Sequence, residues 1–368
     1  NRKISVLGSS NNINAPGFSM DEVFDNMGGG RNSRGGTNRA VGKGITQSNL
    51  IGLNYSDEWT KGLQASGNYN FSNTDTENLT KSKSLNFLPT GNFTTASQSK
   101  TKNESTSNKA GFELEYKAIP SIRIFASPKF SNSRSDNFSE SENSSREENG
   151  TLKNDSKSKS NRESESNNFS NSINFNKSFE KKTRNLSVVL NNNNTKSNSN
   201  GITQSETNYY TTQTSDKRNQ NNLSDNSYDA YSAEIEYTEP VTDSIRFKIG
   251  MEYNYINFVN DSKTYNFNTA NQIYSDLNVF QSNYTTSTQN SITPKAGIRF
   301  EKNKFSVDIN SSSSIVQYDN FSNYLNQATD LNKKYILPNL SGQVRYKIDR
   351  SKTLTTRYNY SVSLPSSN

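Results

Sequence analysis

The sequence predicts an all-β chain, a transmembrane antiparallel up-and-down β-barrel, and three observations point there. The first is composition. Only 29% of the 368 residues are hydrophobic, yet there are 19 Tyr and 19 Phe. A soluble domain that polar buries too little apolar area to offset its conformational entropy, and a disordered chain is poor in aromatics. A barrel wall needs only one apolar face per strand. The second observation is strict period-two alternation over about ten residues at a time, the mark of strands with one apolar face. The third is an alternation of short and long connections, which is how a membrane barrel places its two ends.

Two regions follow. Residues 1–45 read as a separate opening segment: a strand over 2–9, a short helix over 19–27 with Ser19 as N-cap, and a Gly-rich basic stretch over 28–36. It has no Gly-Lys-Ser/Thr ending of a phosphate cradle. Residues 46–368 read as barrel strands. Leu63, Ala65, Gly67, Tyr69 and Phe71 share a face, as do Phe112, Leu114 and Tyr116, followed by Ile122, Ile124 and Ala126. Ile173 and Phe175 answer Leu186, Val188 and Leu190. In the clearest hairpin, Tyr231, Ala233, Ile235 and Tyr237 face one way, and Ile245, Phe247, Ile249, Met251, Tyr253 and Tyr255 continue that face after a turn. Ala296, Ile298 and Phe300 pair with Phe305, Val307 and Ile309. Val344, Tyr346 and Ile348 pair with Leu354, Tyr358 and Tyr360.

These hairpins amount to about twelve strands. Short turns are expected at 57–61, 118–120, 180–183, 239–243, 302–303 and 349–352, and long loops near 72–108, 132–167, 195–228, 259–289 and 319–335. Segment 132–167 is expected to be poorly ordered because it is rich in Ser, Asn and charge. The chain starts without Met or a signal peptide and ends on Pro365, Ser366, Ser367 and Asn368 rather than on an aromatic strand. The expectation is therefore a piece of a larger barrel, cut at both ends.

Function classes narrow by what is missing. There is no Cys and no His, which removes thiol chemistry, the usual general base and the usual metal ligand together. No catalytic, cofactor or metal site is expected, and an enzyme is not. The net charge of +7 is spread among acidic residues with no basic stripe, so nucleic acid is not an expected partner. No run approaches the ~18 apolar residues of a membrane-spanning helix.

Three sets of residues remain as candidates. Glu234, Glu236, Arg246 and Lys248 lie on the polar face of one hairpin; drawn in register, Glu236 opposes Arg246 and Glu234 opposes Lys248. They form either a selectivity surface for a charged solute or, the favoured reading, a lumen ion-pair ladder that sets register. Aromatics near the short turns (Tyr55, Trp59, Tyr116, Tyr237, Phe300, Phe305, Tyr346) and near the long loops (Phe71, Phe130, Tyr253, Tyr255, Tyr358, Tyr360) read as two interfacial girdles. Tyr209, Tyr210, Tyr265, Tyr274, Tyr284 and Tyr324 fall in the long loops, where a ligand or partner first docks or where loops pack on themselves.

A family resemblance adds to this. The run from Ile4 to Ser19, with Asn11, Asn12, Ile13, Asn14, Ala15, Pro16, Gly17 and Phe18 at its centre, resembles the plug-to-barrel junction of Bacteroidetes outer-membrane barrels similar to TonB-dependent receptors. The run from Tyr358 to Ser366 resembles a mid-barrel strand of the same family. The resemblance implies a 22-stranded barrel of which this chain holds the end of the plug and roughly the first half of the wall. It implies location in the outer membrane of a Gram-negative bacterium and uptake of a nutrient. Asn11, Asn12, Asn14 and Phe18 would be the junction. Expected partners are outer-membrane lipid and lipopolysaccharide, TonB through a segment not in this chain, and a surface lipoprotein or other outer-membrane subunits. The alternative is a non-transporting scaffold or accessory subunit of a larger outer-membrane complex.

Overall fold

The computed structural model describes residues 2–12, 44–89, 91–117, 119–349 and 351–363. Among them are strands and no helix: β1 (Lys3–Asn11), β2 (Ile45–Thr60), β3 (Leu63–Asn86), β4 (Phe93–Tyr116), β5 (Ile122–Ala126), β6 (Lys129–Glu147), β7 (Leu152–Ser178), β8 (Asn185–Tyr209), β9 (Thr214–Pro240), β10 (Ile245–Asn268), β11 (Ile273–Leu277), β12 (Asn283–Lys302), β13 (Phe305–Tyr324), β14 (Gln327–Lys347) and β15 (Thr353–Tyr360). All belong to one antiparallel 15-stranded sheet in which neighbours in sequence are neighbours in space. β5 and β6 are two halves of one strand lying between β4 and β7, interrupted at Ser127 and Pro128. Proline has no N–H to give to a ladder. β11 is a short addition to the far end of β10. The helix expected over 19–27, the Gly-rich stretch, Asn14 and Phe18 lie outside the described residues.

The sheet has almost no apolar interior. Ala65 and Val316 are the buried hydrophobic side chains, whereas Ile249 is 62% and Met251 51% exposed. Along β10 the apolar residues from Ile245 to Tyr255 point to one side, and Arg246, Lys248, Gly250 and Asn254 shelter on the other. The same division holds for the neighbouring strands. The side that displays apolar groups is the outer face, and the sheltered polar side is the inner face. Water penalises such an arrangement, and a contiguous exposed apolar surface of this extent marks contact with something apolar.

Register gives the strand tilt. From Leu53, in the middle of the apolar stretch of β2, partner leads to partner through Tyr69, Phe130, Asn194 and Asn257 to Asn332 on β14. Asn332 lies well beyond the middle of the apolar stretch of β14, near Leu340. A slip of about eight residues over about ten strand-to-strand steps corresponds to a tilt of roughly 30° at ~3.3 Å per residue and ~4.8 Å per strand. Tilted so, the eleven-residue stretch from Ile245 to Tyr255 makes a band about 28 Å tall, close to the apolar belt of a membrane barrel. Ring pairs mark its margins: Phe300 with Phe305 at 6.3 Å on one, Tyr231 with Tyr255 at 6.2 Å on the other.

The short turns fall close to the expected places, two of them shifted: β2 runs on to Thr60, so the first turn lies at 61–62, and β9 runs on to Pro240, so the fourth lies at 241–244. The long loops do not exist as loops. The regions 72–108, 132–167, 195–228, 259–289 and 319–335 are continuations of the strands; β3 ends at Asn86 and β4 starts at Phe93, tight turns close other hairpins at 148–151, 210–213 and 325–326, and β11 and the 278–282 loop lie between β10 and β12. Segment 132–167, expected to be poorly ordered, forms most of β6 and the far half of β7, paired in one register from Asn132 to Ser145 with a shift between Ser145 and Arg146 near the tip. The reason is that a strand in water on both sides needs no apolar face; ladder hydrogen bonds and cross-strand polar pairs suffice to hold it beside equally long neighbours. At 325–326 both residues are left-handed, Leu325 at φ 54° and Asn326 at φ 58°, the geometry of a two-residue turn whose twist matches the flanking strands. Beyond the band the hairpins extend roughly another 35–50 Å at ~3.3 Å per residue.

Among the described residues, the outer edges of β1 and β15 have no strand beside them. β1, within the segment 1–45, is bonded to β2 from Lys3 opposite Ser56 to Asn11 opposite Ser48.

The face assignment has a direct test. Ile249→Arg is expected to cost about 2–4 kcal/mol if that position lies near the bilayer midplane, and Lys248→Gln far less. Urea unfolding of the full-length protein in vesicles would measure both, and equal costs would invalidate the assignment.

Candidate functional site: the polar inner face

Within the band, the inner face is a set of ion pairs built across β9, β10, β12 and β13. The hairpin register places Glu236 opposite Gly250 and Glu234 opposite Glu252, with Arg246 opposite Pro240 and Lys248 opposite Thr238. The direct oppositions drawn from the sequence, Glu236 with Arg246 and Glu234 with Lys248, are therefore wrong by four residues. The turn is the cause: β9 runs on to Pro240 and β10 starts only at Ile245.

The real register would set two carboxylates face to face, and a residue from a third strand resolves this. Lys295 of β12 donates to Glu234 Oε1 and to Glu252 Oε2, each at 2.6 Å. To reach Glu234 it must cross β10, and it does so over Gly250, its own register partner. A Cβ at Gly250 would come within 2.9 Å of the Ile235 carbonyl oxygen and 3.7 Å of the Glu236 Cβ. The missing side chain is what leaves the crossing open. Lys248 lies 3.4 Å from Glu236, diagonally across the ladder. Arg246 reaches Glu301 at 3.5 Å, and Arg299 reaches Asp308 at 3.6 Å. Glu234, Glu236, Lys248 and Lys295 line a hollow of about 480 Å³ that also takes in Gly297, Asn310 and Asn339. The charges answer one another, so the wall has little net charge to offer a solute.

At the short-turn end of the wall, Arg184 holds Glu239 with two bonds of 2.8 and 2.7 Å, joined by Lys181 at 2.9 Å and the Tyr237 hydroxyl at 2.7 Å.

The six tyrosines form no single patch. Tyr209 and Tyr210 are half-exposed at the β8–β9 tip, where Tyr210 donates to Asp155 at 3.2 Å. The others serve the far ends of β9 to β14. Tyr274 packs edge-on to Phe267 at 5.2 Å and donates to Asn219 at 2.8 Å. Tyr284 meets Phe321 at 6.2 Å, and Tyr324 donates to the Phe280 carbonyl at 3.3 Å. Tyr265 lies in register with Leu277 of β11. Of the expected junction residues, Asn11 ends β1 opposite Ser48 and Asn12 follows it, exposed.

Sequence reasoning missed Lys295, Glu252 and Gly250 as one unit. Their common feature, a glycine flanked by charges on the polar face, was visible, but the lysine belongs to a strand 45 residues away from it in sequence and only register joins them.

Lys295→Met leaves Glu234 and Glu252 opposed without a cation; it should destabilise the protein by about 1–2 kcal/mol, discounted for partial exposure, and Glu252→Gln in that background should restore most of the loss in urea unfolding.

Compared with models of protein families the chain matches none, and it matches none of the curated proteins.

Proposed function

We propose that this chain is wall and surface extension of a Gram-negative outer-membrane barrel resembling TonB-dependent receptors, which takes up a nutrient across the outer membrane. One observation carries the reading: a sheet whose apolar side chains are exposed on one face, in a tilted band about 28 Å tall with aromatic margins, and whose polar side chains are sheltered on the other. A bilayer is the surrounding that makes both faces favourable at once. In hydrocarbon every backbone group must be paired, so the free edges of β1 and β15 call for further strands, in keeping with a barrel larger than this sheet. Lipid and lipopolysaccharide would meet the outer face, and TonB would act through a segment outside this chain.

The accessory-scaffold reading is favoured by a different observation, the length of the hairpins beyond the band. Rigid polar strands standing about 35–50 Å clear of a membrane suit contact with a surface lipoprotein or with other outer-membrane subunits.

The readings separate experimentally. Tags at Asn149 and Thr212, at the far tips, should be reached by antibody on intact cells, and a tag at Lys182 should not. Loss of the gene should abolish proton-motive-force-dependent accumulation of one class of solute. Unchanged accumulation of every solute tried, with loss of co-purifying outer-membrane subunits, would give the scaffold reading the field. Labelling of Lys182 on intact cells would reject the topology itself.

A further inference from the structure

The last two short turns, one between β12 and β13 and one between β14 and β15, stand side by side. The Lys347 N–H donates to the Lys304 carbonyl at 2.8 Å, and Lys304 Nζ donates to the Ile348 carbonyl at 2.9 Å. The turns and their flanks carry Lys302, Lys304, Lys347 and Lys352, all exposed. Among the described residues none of these four is ion-paired. The acids beside them are engaged elsewhere. Glu301 takes Arg246 at 3.5 Å and Arg299 at 3.3 Å. Asp349 accepts from the Ser351 N–H at 2.8 Å and the Lys352 N–H at 2.9 Å, closing its own turn.

The rest of this end of the wall is arranged differently. Arg2 has Asp57, Lys117 and Arg123 share Glu115, and Lys181 and Arg184 share Glu239. Like charges held close repel one another even in water. Four unanswered ammonium groups on two adjoining turns make a positive patch that an anion from outside relieves.

The height of the patch identifies the anion. Phe305, Tyr346 and Leu354 are register partners in one row on the outer face, 40%, 45% and 63% exposed, at the short-turn margin of the apolar band. Lys302 lies opposite Phe305, Lys304 and Lys347 adjoin Phe305 and Tyr346 in sequence, and Lys352 precedes Leu354 by two residues. At ~3.3 Å per residue all four start within about 7 Å of that row. Aromatic belts meet the headgroups at that level, and a lysine stem is long enough to carry its charge to a phosphate there.

We infer that these two turns dock the phosphates of anionic phospholipid in the leaflet at the short-turn end. Each ammonium group offers three donors and a compact full charge, and basic segments beside an apolar span hold acidic headgroups by that attraction. A zwitterionic lipid brings its own cation and gains far less. The inference rests on the reading above that the band lies in a bilayer.

The test places full-length protein in phosphatidylcholine vesicles holding a trace of spin-labelled phosphatidylglycerol or spin-labelled phosphatidylcholine. Spin-resonance spectra give the fraction of each lipid held at the protein surface. Phosphatidylglycerol should be preferred at least about threefold, and the preference should fall toward parity between about 50 and 500 mM salt. Lys302→Gln, Lys304→Gln, Lys347→Gln and Lys352→Gln combined should remove most of it, and Arg at the same four positions should keep it. Lys81→Gln with Lys83→Gln, at the far end of β3, should leave it unchanged. Equal association of the two lipids overturns the inference, as does an equal loss in the Lys81 and Lys83 variant. A preference untouched by the four Gln substitutions also overturns it, and loss instead of binding to isolated cell-wall sacculi would assign the turns to that polymer. Retained heat-modifiability shows that each variant is folded. Failure of the protein to float with the vesicles removes the membrane reading and this inference with it; flotation without lipid preference removes this inference alone.

Discussion

The ladder of backbone hydrogen bonds holds this molecule together. With Ala65 and Val316 as its buried apolar side chains, the sheet has no core to organise it, and every strand is positioned by the partners on its two sides. Register therefore does here what packing does in a soluble domain. It opposes Glu234 to Glu252, it brings Lys295 over Gly250, and it sets Ser48, Thr74, Ser105, Ser135, Ser164, Ser199, Ser224 and Ser262 in one row across eight strands. Each strand from β2 to β14 except β11 is paired on both sides, so shifting any one of them would break two ladders at once.

In the proposed membrane setting, the band and the extension divide the same strands between two solvents. Within the band the outer face sheds water, and inner-face charges are answered by charges. Above it the outer face takes up the charges and the inner face becomes neutral. The side-chain period of two never changes along a strand such as β7; only what alternates changes. Lys157 and Lys159 sit on the same side as Phe169, Ile173 and Phe175, and Ser158 and Ser160 on the same side as Asn174. In the proposed setting a single strand is thus fitted to lipid over one half and to water over the other, with its pairing to β8 unbroken from Asn154 to Ser178.

That also explains what was legible in the sequence. The all-β class and the short turns were readable, because apolar–polar alternation is a strong signal and a turn interrupts it. The far halves were not, because alternation was sought as apolar against polar. In β3, Asp75, Glu77, Lys81 and Lys83 alternate with Thr74, Thr76, Thr80 and Ser82, a period of two written in charge against hydroxyl. The turn at Leu325 and Asn326 carries no glycine and no proline to announce it. The Lys295 crossing was hidden for another reason. It depends on the distance between strands that sequence does not place side by side.

The serine rows have one more consequence, for how such a protein changes over time. Where successive inner-face positions are all Ser, Thr or Asn, adding or removing two residues on each side of a hairpin keeps every side chain on its face and every rung occupied. The height of each hairpin above the band is then nearly free to vary in steps of about 6.6 Å, two residues at ~3.3 Å, with no repacking elsewhere. Related chains should accordingly agree in the band and differ in the reach of their hairpins, by even numbers of residues per strand.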